Sequence, residues 1–154
     1  MNHTLSRTIA GNTLYLKKMT ADLTEEDMLL SAGESNTIGW IIGHILNYRG
    51  EILRRMNIPC EKKETEKAFD RGVPKNKNIK INFAESMNDF AVRGGKIAEA
   101  IDSLGDEILK QPCGMELPGG NDIETLISFL SWHETFHLGQ IDLIKAAAGK
   151  AGIK

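Results

Sequence analysis

The chain has 154 residues, of which 41% are hydrophobic and 26% charged, and its net charge is −2. That length fits one domain, residues 1–154, able to bury a core without disulfides. The charge balance speaks against a dedicated nucleic-acid surface, which needs clustered Lys and Arg. No signal-like apolar stretch lies in the first 25 residues, and no apolar run reaches the ~18 residues of a membrane span. A cytoplasmic protein with no membrane partner is expected.

Leu5, Ile9, Leu16, Met19 and Leu23 recur at helical spacing, so residues 3–19 are expected to form an amphipathic helix. Thr24 followed by Glu25, Glu26 and Asp27 reads as an N-cap with an acidic first turn, starting a short helical turn that ends near Gly33. Asn36 is expected to cap a longer helix running to Met56, with Ile38, Ile41, Ile42, Ile45, Ile52 and Leu53 on its apolar arc. Asn57 and Pro59 end it, because proline cannot continue the hydrogen-bond ladder.

Residues 57–81 lack sustained periodicity, and Arg71 to Lys80 carries four positive charges and no acid. No aromatic residue interleaves those charges, so a solvated connection is expected rather than a phosphate or nucleic-acid patch. A connection this long crosses the domain or borders a functional site. Asn82 with Glu85 forms a capping box for the third helix, on which Phe83, Met87, Phe90, Gly94, Ile97, Ile101 and Leu104 hold one register. Gly94, on that inner stripe, would permit close approach of another helix.

Gly105 to Asn121 is rich in proline and glycine and reads as loop. Asn121 and Asp122 supply caps for a last helix to Ala148, where Gly149 stops it. No segment alternates convincingly as a strand, so the expected fold is all-α, a four-helix bundle with a long connection between helices 2 and 3. Cys60 and Cys113 each follow a proline in segments read as loop, and unpaired thiols without a role are expected.

The segment from Leu130 to Gln140 carries the chemistry. His133 and His137 are four residues apart and stack on one helix face. At about 100° per residue, Leu126, Leu130, His137 and Ile144 fall to one side of His133, and Phe129 and Phe136 to the other. Both imidazoles are thereby expected to point into the bundle. A buried ring nitrogen without a partner costs on the order of 1–3 kcal/mol, and a divalent cation bound by neutral imidazole removes that cost. His44, at the border between its helix's apolar arc and the polar stripe of Asn47, Glu51 and Arg55, is the best third ligand. His3, near a terminus, is expected to be exposed. Gln140, Tyr48 and Glu51 lie where they could orient a ring nitrogen or line the pocket. Phe129, Trp132, Phe136 and Leu143 flank the histidine face and read mainly as core, part of which could serve a dimer interface.

His133-Glu134-Thr135-Phe136-His137 formally matches H-E-x-x-H, in which the glutamate is a zinc protease's general base. The extended form fails: Gln140 stands where glycine should be and Leu143 where the third histidine should be. Only 17 residues follow His137, and none is Glu. No strand is available to hold an extended peptide.

Trp40-Ile41-Ile42-Gly43-His44 on the second helix, with His133-Glu-Thr-Phe-His-Leu-Gly-Gln-Ile141 on the last, resembles the DinB/YfiT-like superfamily, and the resemblance spans nearly the whole chain. It implies a metal-binding four-helix bundle, frequent homodimers, and zinc or nickel held by His44, His133 and His137, in agreement with the wheel argument. It also implies an activity, less sharply. Some relatives are transferases or isomerases that use a low-molecular-weight thiol as co-substrate, and others are metal-dependent hydrolases. A metal with open positions would acidify a bound thiol or activate water. A thiol transferase acting on a small-molecule substrate is the first expectation. A non-catalytic stress-response or ligand-binding bundle and a metal-dependent hydrolase are the alternatives.

Overall fold

The computed structural model describes residues 4–70, 72–74 and 79–152. His3, together with Arg71, Lys75 and Lys77 of the basic stretch, lies outside the described residues. Four long helices dominate: α1 (Thr4–Met19), α2 (Ile38–Arg55), α3 (Phe83–Leu104) and α5 (Ile123–Ala147). Between α3 and α5 come a single turn, α4 (Asp106–Leu109), and a hairpin of β1 (Pro112–Leu117) and β2 (Gly120–Asp122). The fold is predominantly helical, as the periodicity implied, and α1 and α2 each pack against both α3 and α5.

The helix starts follow from local hydrogen bonding, with shifts from expectation. Thr37 rather than Asn36 caps α2, its hydroxyl accepting the Trp40 amide at 3.2 Å. Asn82 caps α3 by accepting the Glu85 amide at 3.0 Å. The reciprocal half of that box is absent: the Glu85 carboxylate pairs with Lys63, and Glu25 instead receives the Phe83 amide. At Thr24 the expected cap is reversed, since Asp27 accepts both the amide and the hydroxyl of Thr24. The turn that follows is a 3₁₀ turn, Glu26–Leu29. Asp122 caps α5 by accepting the Thr125 amide at 2.8 Å.

Two segments expected to be loop carry structure. Within 57–81, a 3₁₀ turn (Glu64–Phe69) buries Glu66 and Phe69. The Phe69 ring seats directly over Gly43 of α2, where a Cβ would overlap it. The Glu66 carboxylate grips the Arg93 guanidinium of α3 through two hydrogen bonds of 3.0 and 2.6 Å. Between Gly105 and Asn121 lies the antiparallel hairpin, with Pro112 opposite Asp122 and Leu117 opposite Gly120. Gly119, at φ 102°, makes the turn with a backbone that side-chain-bearing residues rarely adopt. Cys113 is therefore a buried strand residue rather than a loop thiol, and both cysteines are free. Strands this short, interrupted by proline and glycine, give almost no periodic signal.

The core consists of two apolar clusters. One gathers Leu16, Ile41, Ile45, Phe90, Leu138 and Ile141. The other gathers Ile9, Ile52, Leu53, Ile97, Leu126 and Leu130. Along α2 and α5, the residues between these clusters include Arg49 and Glu134, which are 0% and 4% exposed. Arg49 donates to Glu134 through Nε and Nη2, both at 2.8 Å. Its remaining N–H groups reach Thr13 Oγ1 (2.8 Å), the Phe90 carbonyl (2.7 Å) and the Ile9 carbonyl (3.1 Å). A Cβ at Gly94 would collide with Arg49 Nη1 and crowd Thr13 Oγ1 of α1 at 2.9 Å, so this glycine admits the guanidinium as well as the neighbouring helix.

The apolar stripe on α5 also departs from expectation. Trp132, Phe136 and Leu143 are 64%, 52% and 64% exposed, so they are surface and not core. α5 is apolar on more than one side, and a wheel drawn from composition alone does not choose between the faces. The buried face centres on Leu130, Glu134 and Ile141, about one residue's rotation from His133.

Breaking one side of a buried, hydrogen-bonded ion pair costs about 3–5 kcal/mol, because the surviving charge is left unpaired. Arg49→Ala and Glu134→Ala are each expected to lower the free energy of unfolding by about that amount. The double variant should lose clearly less than the two single losses added together, as urea denaturation of all three proteins would show.

Candidate functional site

The site lies where the middle of α2 meets the middle of α5. His44 projects from α2 at the edge of its buried arc, and His133 and His137 occupy successive turns of α5. The three Nε2 atoms converge. His44 Nε2 lies 3.4 Å from His133 Nε2, which lies 3.2 Å from His137 Nε2. All three ligand atoms fall within 4.8 Å of one another. His137 is buried, while His44 and His133 are half-buried. The triad expected from the sequence is thus brought together, although His133 stands at the border of the buried face rather than at its centre.

Neighbouring side chains hold these rings in place. Gln140 Oε1 accepts from His137 Nδ1 at 2.7 Å, which puts the proton on Nδ1 and leaves the Nε2 lone pair facing inward. Trp40 stacks on His44, with centroids 4.5 Å apart and planes at 20°. Tyr48 meets His44 and His133 edge-on at 4.8 and 5.2 Å. Burial holds His133 below the ordinary imidazole pKa, against the opposing pull of the Glu134 charge, and so favours the neutral, ligating form.

The donor set fits a metal ion. With Nδ1 donating to Gln140, the neutral ring of His137 offers a lone pair at Nε2, and a third imidazole nitrogen crowds the same point. A tetrahedral cation with bonds of about 2.0–2.1 Å holds its nitrogen ligands about 3.3–3.4 Å apart. The observed separations of 3.2 and 3.4 Å bracket that value closely. His44, His133 and His137 could hold one divalent ion, and none of the three is a carboxylate, so the site itself would carry the ion's full charge.

Of the other expected pocket residues, Gln140 and Tyr48 contact the rings and Glu51 does not orient one. The Glu51 carboxylate is held by Arg54 (3.2 Å) and Arg55 (2.6 Å), and it lines a cavity beside His133. That cavity has a volume of about 560 Å³. Glu134, the would-be general base of H-E-x-x-H, has both carboxylate oxygens engaged by Arg49 in the core and faces away from the triad's open side. The peptidase reading loses its base.

Sequence reasoning missed the Trp40 stack and the hairpin wall of the cavity. The first was recoverable, since Trp40 and His44 are four residues apart on one helix and must be neighbours. The hairpin left only the alternation of Cys113, Met115 and Leu117 as a clue.

The tautomer at His137 has a direct signature. Long-range ¹H–¹⁵N spectra of metal-free protein should show His137 protonated at Nδ1. Gln140→Leu should convert it to a mixture of tautomers, with the fold unchanged.

No curated protein matches the chain. The sequence profile of the DinB superfamily matches it across residues 13–141, a span that includes all three histidines of the triad, Gln140, Tyr48 and the cavity between α2 and α5, and on that match the chain belongs to the DinB superfamily.

Proposed function

We propose that this protein is a divalent-metal enzyme that transfers a low-molecular-weight thiol onto an electrophilic small molecule. The observation that carries the reading is the convergence of three imidazole Nε2 atoms, 3.2 and 3.4 Å apart, beside a cavity of about 560 Å³. In this reading His44, His133 and His137 hold zinc or nickel, two metals that imidazole suits well. Three protein ligands leave at least one position open, as catalytic rather than structural sites do. A cation there supplies Lewis acidity, which lowers the pKa of a thiol or a water.

The chain's own residues do the positioning. Gln140 fixes the orientation of His137, and Trp40 and Tyr48 pin His44 from its face and its edge. The cavity beside His133 receives the electrophile, and its apolar wall excludes water from the reacting carbon. In the transfer, the thiol proton passes to solvent, sulfur forms a bond to carbon, and the leaving group departs with its electron pair. The same reading takes the four long helices as a four-helix bundle within a single domain acting in the cytoplasm. It takes the exposed stripe of Trp132, Phe136 and Leu143 as the face of a homodimer.

Elemental analysis of gently purified protein should find one divalent metal per chain. His44→Ala, His133→Ala and His137→Ala should each lose it. Metal-loaded protein should accelerate the reaction of 1-chloro-2,4-dinitrobenzene with at least one member of a thiol panel that includes cysteine, and His137→Ala should abolish that rate. Absence of any metal-dependent rate would favour a non-catalytic, ligand-binding role. Thiol-independent cleavage of an ester would favour a hydrolase.

A further inference from the structure

The cavity beside His133 has two chemically distinct sides. Met115 and Leu117 from β1 and Leu126, Phe129 and Leu130 from α5 form one continuous apolar wall. Although the ladder is irregular between Pro112 and Leu117, burial alternates along β1, and Cys113, Met115 and Leu117 are its less exposed positions. That alternation is what turns a hairpin edge into a wall. Phe129 lies nearly parallel to the His133 ring, with planes at 12° and centroids 6.4 Å apart. The wall therefore begins at the triad and runs outward beneath the hairpin.

The opposite side is polar, and its two carboxylates, Glu51 and Asp70, are already matched. Glu51 sits between Arg54 and Arg55. Asp70 receives both Lys62 and the Asn47 amide. Arg55 also donates to the Cys113 carbonyl, tying α2 to the hairpin. Neither Glu51 nor Asp70 presents an uncompensated charge to a ligand, Glu116 stands at the exposed rim of β1 where water solvates it, and a charged group pressed against the apolar wall would lose its hydration without a partner. The volume lies within the range of about 300–1,000 Å³ typical of small-molecule sites.

From this we infer that the chamber takes the uncharged aryl or alkyl body of the substrate, with Met115 and Leu117 of the hairpin as its specificity-determining residues. Ring-bearing bodies fit best, because Phe129 offers a face for offset stacking next to the triad. The inference rests on the proposed metal and thiol chemistry only for where the reacting head lies. The apolar body is recognised by the chamber whether or not a metal is present.

Ligand-observed ¹⁹F NMR separates these two layers. In metal-free protein, 4-fluorotoluene is expected to bind about tenfold or more tightly than 4-fluorobenzoate or 4-fluorobenzylammonium. Leu117→Trp, which fills the chamber, should abolish 4-fluorotoluene binding while leaving metal stoichiometry unchanged. Met115→Glu, at a half-buried position, should weaken it about tenfold as well, and it carries the test if Leu117→Trp does not fold. Failure of 4-fluorotoluene to bind, equal binding of the charged probes, or indifference to both substitutions would overturn the inference. The proposed metal chemistry fails differently. 4-Fluorobenzyl mercaptan should gain affinity over 4-fluorotoluene only in metal-loaded protein, and absence of that gain would sink the metal reading while leaving the chamber intact.

Discussion

A single guanidinium holds the helices in register. Arg49 has five N–H donors, and all five are met: two contacts to Glu134 on α5, two to Ile9 and Thr13 on α1, and one to the Phe90 carbonyl on α3. The guanidinium also lies 3.4 Å from the centroid of the Phe90 ring. One side chain from α2 thus touches each of the other three long helices. A charge placed in the core costs several kcal/mol unless every donor is satisfied, so the geometry tolerates little slippage. A shift of α5 by one residue would aim Glu134 elsewhere and leave Arg49 exposed to that penalty. Because Glu134 is bonded to its neighbour His133 through the backbone, the same constraint aligns the histidines of α5 with His44. The site inherits its precision from the ion pair.

A second pair repeats the device. Arg93 on α3 is matched by Glu66 from the 3₁₀ turn and by the Leu46 carbonyl of α2. The two arginines are each followed by a glycine, and each glycine makes room for the other arginine: Gly94 for Arg49, and Gly50 for Arg93. Two Arg-Gly steps on facing helices therefore interlock. Glycine within a helix costs up to about 1 kcal/mol relative to alanine, and here that cost admits a guanidinium that a Cβ would exclude. This also explains why a connection without periodicity is ordered. Glu66 and Phe69 are each a single residue serving a single docking point, and no repeating pattern is needed to specify them.

Much of the molecule was legible in the sequence beforehand. The long helices follow from the 3.6-residue period of Ile9, Leu16 and Met19, of Ile38, Ile41, Ile45 and Ile52, and of Phe90, Ile97 and Ile101, and their ends differ from expectation by a residue or two, where Thr37 supplants Asn36. The triad was legible because two histidines at i, i+4 must share a face and, of the other two, only His44 lay away from a terminus. What escaped is non-local. Arg49 looks like a surface arginine interrupting an apolar arc until Glu134 is brought to it from 85 positions away. The letters H-E-x-x-H likewise do not say which partner the glutamate finds. His133 and His137 lie about 40° apart around the helix, whereas Glu134 lies about 100° from His133. A glutamate so placed can turn to the ligand side or to the core, and a buried arginine decides the matter. The outward face of α5 was misread for a related reason, since Trp132, Phe136 and Leu143 are as apolar as the residues that are buried.

The parts that fix the triad and the parts that shape the cavity are separable in their energetics. The histidines stand on helices whose relative position depends on Arg49, Glu134 and two apolar clusters, all deep in the core. The cavity's outer wall stands on a short hairpin held by its own ladder, by packing on α5 and by the Arg55 contact to the Cys113 carbonyl. Changes to Met115 or Leu117 alter the shape and polarity of the space beside His133 without touching any bond that sets the helix register. Distant sites with no shared partners contribute additively, so the hairpin can vary while the triad stays put. Such a scaffold can keep one set of imidazoles in place while the space beside them changes.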